Sequence, residues 1–267
     1  MKKNSFSSFL TLNALARWGC LGPLFLVACV TLSETGERVF LMTSPSQEAQ
    51  MGAQSFQSLK QNQKISTNSA DQARVKAVAD RLVAHVAMAN VQWETVVFED
   101  ETPNAFALPG GKIGVHTGML KLVENDAQLA AVMGHEIAHV TMRHSGQRFS
   151  AQFPIMLGYA GLGAALQHED WKTQQLAMTA YGVGSQVFGV LPFSRQHEYQ
   201  ADEIGLKYMA KAGYDPQQAI QFWKLMEKSA KAGKPPEFLS THPSDSNRIA
   251  RLEQALPAAM PYYQGIR

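Results

Sequence analysis

The chain has 267 residues, of which 45% are hydrophobic, enough to bury the core of one sizeable domain or two small ones. Its formal net charge is only +2 and no long run of Lys and Arg stands out, so the charge does not favour nucleic acid as a partner. The two cysteines, Cys20 and Cys29, both lie near the N-terminus, which excludes a disulfide framework in the folded domain.

The N-terminal segment has the features of a targeting signal. Basic residues precede an apolar run over residues 21–28, which is far shorter than the ~20 residues that a membrane-spanning helix needs. The run ends in Leu-Val-Ala-Cys29, which resembles the lipobox of bacterial lipoproteins. That resemblance implies cleavage before Cys29 and lipid on its sulfur, with residues 1–28 as the signal peptide. An ordinary secretory signal with an incidental cysteine is the alternative.

The residues after Cys29 bear on location and domain organisation. Val30 stands where lipoproteins retained in the inner membrane usually carry Asp, which by the same resemblance favours the outer membrane. Residues 29–45 have no clear period and are predicted to be a lipid-anchored tether. Residues 46–267 are then predicted to form the folded domain.

Apolar periodicity predicts a mainly helical domain with a few short strands. The first half contains a peripheral helix at 46–63, a stronger helix at 69–88 and strands at 91–99 and 112–116, with turn residues between the strands. The later helices are predicted at about 126–145, 172–190, 195–211, 215–230 and 244–256.

Two apolar stretches, 153–166 and 176–193, could be mistaken for membrane spans. The first is too short for a span, and polar residues and glycines dilute the second. We interpret both as soluble helices that pack closely on their neighbours. A hydrophobic surface that touches a membrane or an apolar substrate is the alternative.

The motif that carries chemistry is His135-Glu136-Ile-Ala-His139. Residues four apart on a helix lie one above the other, so the two histidines can hold one Zn²⁺ together. Glu136 projects beside them and is placed to take a proton from a metal-bound water. A helix that carries two incidental histidines is the alternative interpretation, and the apolar surroundings of the motif argue against it.

A catalytic zinc needs a third protein ligand and an open position. Met142 and Ser145 stand where metzincins have Gly and His, which excludes that family. A glutamate from a second helix remains, and Glu198 is favoured because Asp202 lies four residues later on the same helix face. Asp202 could then accept a hydrogen bond from a ligand histidine. The other downstream candidates are Glu169, Glu203, Glu227 and Glu237.

Four blocks of the sequence together resemble the HtpX-like gluzincin metallopeptidases, most of all their periplasmic LoiP/BepA branch. The blocks span residues 104–111, 135–144, 195–205 and 241–249. The resemblance covers roughly residues 46–256. Members of the BepA type carry a C-terminal repeat domain that is not expected here, because this chain stops soon after the last block.

The resemblance implies a fold, a cofactor and a further site residue. The expected fold is α+β, a mainly helical zincin-like domain with a small mixed or antiparallel sheet beside the active-site helix. One Zn²⁺ per chain is expected. His242, in the last block, is implied to approach the metal, either as a latch on the open position or as a donor to the oxyanion. A histidine with only a surface or packing role is the alternative.

The first block can also serve substrate binding. A strand that contains Phe106, Ala107 and Leu108 could form a sheet edge near the cleft, to which an extended peptide adds by main-chain hydrogen bonds. A purely structural hairpin with Gly110-Gly111 as its turn is the alternative, and both could hold.

These observations predict a zinc-dependent endopeptidase of the bacterial cell envelope, anchored by lipid on Cys29 to the periplasmic face of the outer membrane. By resemblance, its substrates are misfolded or unassembled envelope proteins, cleaved by zinc-activated water with Glu136 as the general base. The rival hypothesis is a periplasmic assembly factor or chaperone whose zinc site is mostly latched.

Overall fold

The computed structural model describes residues 28–88, 91–186, 191–231, 236–242 and 247–265. The predicted signal peptide, 1–28, lies outside the described residues except for Ala28. Within the described residues, the structure is mainly helical with two small sheets. This confirms the predicted α+β class.

The N-terminal part differs from the predicted tether at 29–45. Strands β1 (Ala28–Thr31) and β2 (Arg38–Leu41) form an antiparallel hairpin instead. Val39 and Leu41 of β2 are anchored in the core, and Leu41 is only 1% exposed. Sequence periodicity does not reveal this hairpin, because a four-residue strand is too short to show a period. Cys29 itself is exposed.

Helix α1 (Pro45–Asn62) follows the hairpin and confirms the predicted peripheral helix. It begins at a capping box made of two hydrogen bonds. The Ser44 side chain accepts one from the backbone N–H of Gln47, and the Gln47 side chain accepts one from the backbone N–H of Ser44. Helix α2 (Ser69–Val83) is capped by Asn68 and buries one apolar face. It ends before the predicted residue 88.

The main sheet has three strands: β3 (Glu94–Phe98), β4 (Ala105–Leu108) and β5 (Lys112–His116). The central strand β5 pairs in parallel with β3 and antiparallel with β4, so the sheet is mixed and β4 lies at one edge. One sheet face contributes Phe98 to a small cluster under α1. The opposite face packs into the principal core.

In the described residues, the sheet is followed by helices, and α4 is the central one. They are α3 (Thr117–Leu122), α4 (Asp126–Thr141), α5 (His144–Ala165), α6 (Trp171–Ser185), α7 (Leu191–Lys211), α8 (Gln217–Lys231) and α10 (Arg248–Ala259), with a single turn, α9 (Phe238–Thr241), before the last. Helix α4 contacts α2, α7, α8 and strand β4, and all of its residues from Gln128 to Thr141 are buried.

The contact between α4 and α7 positions the site, and Gly205 allows the two helices to approach closely. A Cβ atom at this position would lie 3.0 Å from the backbone nitrogen of His135. Real Cβ atoms rarely come so near, so any larger residue would push α7 away from α4. Gly205 therefore lets the acidic residues one and two turns earlier on α7 reach the histidines of α4.

The predicted helix at 126–145 is two helices in the structure. Helix α4 ends at Thr141, and Arg143 has a left-handed backbone with φ 54° before α5 begins. Helices α5 and α6 form a hairpin in which α6 buries no residue and exposes Leu176 to 73%. In the part of the chain that is described, no helix is both long and apolar enough to cross a membrane.

Candidate metal centre

Helix α4 brings His135 and His139 together, as their spacing predicts. Both side chains are buried, and their Nε2 atoms lie 3.0 Å apart. The helix begins at Asn125, whose side chain accepts a hydrogen bond from the backbone N–H of Gln128. The two imidazoles therefore project from a well-defined, almost wholly buried helix into one point.

Helix α7 adds two carboxylates to the same point. The Glu198 oxygens lie 3.3 Å from Nε2 of His135 and 3.5 Å from Nε2 of His139. Asp202 lies one turn further and places Oδ1 2.8 Å from Nδ1 of His135. With Nδ1–H of His135 donated to Asp202, the Nε2 lone pair is left to face the centre.

His242 follows the short helix α9 and closes the cluster. Its Nδ1 lies 3.1 Å from Nε2 of His135 and 3.0 Å from Oε2 of Glu198. Its Nε2 lies 3.2 Å from Oε1 of Glu136. The ring also stacks on Phe238, with centroids 4.5 Å apart. The structure thus places His242 at the centre, among His135, Glu198 and Glu136.

The separations between these donor atoms fit a tetrahedral metal ion. Ligand atoms ~2.0–2.1 Å from a tetrahedral zinc are about 3.3 Å from one another. The separations of His135 from His139, Glu198 and His242, and those of Glu198 from His139 and His242, run from 3.0 to 3.5 Å. One ligand atom of each of the four residues lies within 4.8 Å of the others. Oε1 of Glu198 is buried and accepts no hydrogen bond. An ion between these residues would satisfy it, so the donor set fits a metal.

Burial and neighbouring charges act in opposite directions on the pKa values of the cluster. Burial disfavours the charged form of His135, but the hydrogen bonds that its ring donates to Asp202 and Glu198 outweigh burial and raise the pKa of His135 to about 9. Burial alone would raise the pKa of Glu198, yet His135 and His242 lower it below its usual range. Burial also holds the pKa of His139 well below 6.5. The two carboxylates therefore stabilise positive charge on His135, while His139 stays neutral.

Glu136 lies beside the donor set and not in it. Its Oε2 accepts a hydrogen bond from the backbone N–H of Ala107 on β4 at 3.1 Å. Burial raises the pKa of the Glu136 carboxyl above its usual range, partly opposed by the nearby His242 and His135. A carboxylate whose pKa is raised toward the working pH is suited to accept and return a proton.

His144 is a residue whose role the sequence did not predict. Its Nδ1 lies 2.8 Å from Nδ1 of His139, and its Nε2 lies 3.2 Å from Oε1 of Gln200. Burial lowers the pKa of His144 to about 2, so the ring is neutral and accepts from His139 while donating to Gln200. His144 therefore orients His139, as Asp202 orients His135. The only sequence feature that pointed to His144 was its place, with Arg143, at the end of the second block, residues 135–144.

Arg248, at the start of α10, is a second such residue. The guanidinium donates from Nε and Nη2 to the two oxygens of Asp202, each at 2.8 Å. It also lies 3.3 Å from Oε2 of Glu198 and stacks over Trp223 at 3.5 Å. This buried cation offsets the charge of two carboxylates and fixes Asp202 in place. The sequence singled out Arg248 only as part of the last block.

The predicted substrate strand lies next to the centre. In an antiparallel pair, alternate residues turn their N–H and C=O toward the neighbouring strand. The carbonyl of Asn104 accepts from β5, so Ala107 directs its main chain away from β5, toward the open edge and Glu136. The side chains of Phe106 and Leu108 pack against the cluster on the α1 side of the sheet.

Comparisons with known proteins agree with this geometry. A family model described as Peptidase family M48 matches residues 69–256, from α2 into α10. The mitochondrial metalloendopeptidase OMA1 of Schizosaccharomyces pombe is 38% identical over 186 residues, which are 69% of this chain and 53% of that protein. OMA1 of Saccharomyces cerevisiae is 36% identical over 195 residues, 70% of this chain and 54% of that protein.

A bacterial relative matches more of the chain. The beta-barrel assembly-enhancing protease of Escherichia coli K12 is 30% identical over 254 residues, which are 94% of this chain and 51% of that protein. This chain thus spans about half the length of the curated relatives that it matches.

Proposed function

Because this chain belongs to peptidase family M48, we propose that it is a zinc-dependent endopeptidase of the bacterial cell envelope. The observation that carries the proposal is the cluster of four donors from His135, His139, Glu198 and His242 with Glu136 beside it. Three of these donors form the His₂Glu set of many catalytic zinc sites. With zinc held by these three, His242 would take the position that a catalytic site reserves for water or substrate.

Each residue of the centre has a defined task in peptide hydrolysis. A zinc ion held there would polarise the scissile carbonyl and lower the pKa of its bound water from ~15.7 toward ~7. Glu136 would take the water's proton and later deliver it to the leaving amine. Asp202 and His144 keep the two ligand histidines in the tautomers that leave Nε2 free.

The edge strand β4 supports an extended peptide as the substrate. Ala107 on this edge strand turns its N–H toward Glu136, so a peptide that adds to the edge would carry its backbone past the general base. Such binding depends little on sequence but requires an unfolded segment. We therefore propose misfolded or unassembled envelope proteins as substrates, which the name of the Escherichia coli relative supports.

We propose that the protein is held at the periplasmic face of the outer membrane by lipid on Cys29. This residue is exposed in β1, as an attached lipid requires. Cys29→Ser should abolish labelling with a radioactive fatty acid and leave the protein soluble or unprocessed after cell fractionation. Unchanged membrane association of the variant would instead point to the apolar α5–α6 hairpin.

The alternative function is that of an assembly factor or chaperone with a latched site. The contacts of His242 with His135 and Glu136 favour it, because the imidazole fills the position that substrate needs. Exposed apolar residues of the α5–α6 hairpin, such as Leu157 and Leu176, could bind unfolded chains without cleavage.

Casein digestion and suppression of aggregation, measured side by side, separate the two functions. We expect the zinc-loaded wild type to cut casein and His242→Ala to retain zinc while gaining a water ligand, detectable by X-ray absorption. Loss of the latch should raise the rate, whereas loss of an oxyanion donor would lower it by ~10²–10³-fold. Suppressed aggregation without cleavage by either protein would support the chaperone. Unchanged coordination and unchanged activity would remove both roles of His242.

A further inference from the structure

A recess of about 150 Å³ opens at the C-terminal end of β4, between α1 and the first turns of α5. Its walls include Met51 and Gly52 of α1, Leu108 and Pro109 at the end of β4, and Phe149 of α5. The recess lies outside the metal centre, and none of the residues assigned to catalysis or metal binding lines it.

The position of the recess relates it to the reacting bond. Ala107, the residue before Leu108, donates its N–H to Glu136. A strand rises ~3.3 Å per residue, so the recess begins within about 3–7 Å of Ala107 along the strand direction. A peptide added to the open edge of β4 would pass between α1 and α5, and a side chain near its scissile bond would reach the recess.

The chemistry of the recess favours an apolar guest. Glu48 is the charged residue among the described residues that line it, and Arg143 neutralises it with hydrogen bonds of 2.7 and 3.1 Å. Thr43 also donates its hydroxyl to this carboxylate. With the Glu48 charge already paired, the recess offers no free counter-ion to a Lys or Arg side chain. Its other walls are largely aliphatic or aromatic.

Two glycines determine the positions of the recess walls, because neither position has room for a larger residue. A Cβ at Gly52 would lie 2.0 Å from the carbonyl oxygen of Pro109, and a Cβ at Gly146 would lie 2.1 Å from Oε1 of Glu48. Larger residues would therefore displace a wall in either place. A cavity of ~150 Å³ is large enough for a benzene ring, so a Leu, Met or Phe side chain fits.

We propose that this recess is a specificity subsite that binds one large apolar side chain of the substrate, within about three residues of the scissile bond. The proposal rests on the proposed peptidase function and on addition of the substrate to β4. Burial of such a side chain should raise kcat/KM by ~10–100-fold over alanine at the same substrate position.

The test uses the zinc-loaded full chain and two variants that alter the recess from its rim. Ser55 lines the recess and is exposed on α1, so Ser55→Phe should fill it without disturbing the fold. Met51 is 55% exposed, and Met51→Ala should enlarge it. Ser58→Phe, on an exposed position of the same helix outside the recess, is the matched control.

Cleavage sites in casein are first identified by mass spectrometry, and matched peptides are then made with Leu, Phe or Ala at each nearby position. We expect one position at which the wild type and Ser58→Phe prefer Leu or Phe over Ala by tenfold or more. Ser55→Phe should reduce this preference to within about threefold, and Met51→Ala should shift it toward Phe. If casein is cut but no such position exists, or both recess variants keep the wild-type preference, the subsite is wrong and the peptidase stands. If casein is not cut at all, both proposals fail.

Discussion

Replacing Glu136 with Gln should lower the rate of peptide hydrolysis by ~10²–10⁴-fold while zinc stays bound. The amide cannot take the proton of the attacking water, which is the task proposed for the carboxylate. Its oxygen can still accept the hydrogen bond that Ala107 now donates to Oε2 at 3.1 Å, so the strand should keep its place. Glu136 is also absent from the donor set, so the metal should be retained.

The measurement combines metal analysis with casein digestion of the same protein samples. Glu169→Gln is the matched control, since it makes the same chemical change at an exposed residue far along the chain from the motif. The control should keep both zinc and activity. A Glu136→Gln protein with more than half of the wild-type activity would exclude a general-base role, and one that lost its zinc would show that the carboxylate has a structural role.

The central part of the site could be predicted from sequence because helix geometry is local. Residues four apart share a face, so the spacing of His135 and His139, and that of Glu198 and Asp202, fixes each pair before any tertiary contact is known. The structure brings both pairs to one point. The choice of Glu198 among five glutamates depended on Asp202, which the structure places 2.8 Å from Nδ1 of His135.

The parts that the sequence did not predict depend on contacts across the chain or on short elements. His144 acts on His139 only because Arg143 takes a left-handed backbone and turns α5 back toward the site. Arg248 is 46 residues from Asp202 in the chain, and no local sequence pattern predicts a contact between residues so far apart. Likewise, the recess beside β4 forms only where α1 and α5 come together, and sequence periodicity does not predict which helices pack on each other.

Removal of the metal should abolish the proposed peptidase activity. In His135→Ala the loss of activity should not be reversed by added zinc. The variant loses a ligand atom that lies 3.0–3.3 Å from the donor atoms of His139, His242 and Glu198. It also leaves Asp202 without its histidine partner. We expect about one zinc per wild-type chain by mass spectrometry of the metal, and far below that in the variant. Chelation should stop casein digestion by the wild type, and added zinc should restore it.

The pH dependence of zinc binding follows from the same contacts. In the metal-free protein, Asp202 and Glu198 hold a proton on His135 up to a pKa of about 9, against the opposing effect of burial. Zinc must displace that proton, so the apparent zinc affinity should fall as the pH is lowered below 9. Competition with a coloured chelator over a series of pH values measures this, and a flat profile would contradict the protonated metal-free state.

A graded series of histidine variants separates ligands from residues that only orient them. His144→Ala removes the acceptor at 2.8 Å from Nδ1 of His139 but no donor of the metal set, so zinc should bind ~10–100-fold more weakly and still reach full occupancy in excess. His168 is exposed, and His168→Ala should leave both affinity and activity unchanged. The expected order of zinc affinity is therefore wild type and His168→Ala, then His144→Ala, then His135→Ala. Stoichiometric zinc in His135→Ala would show that this histidine is not a ligand, since the three remaining donors would then suffice without it.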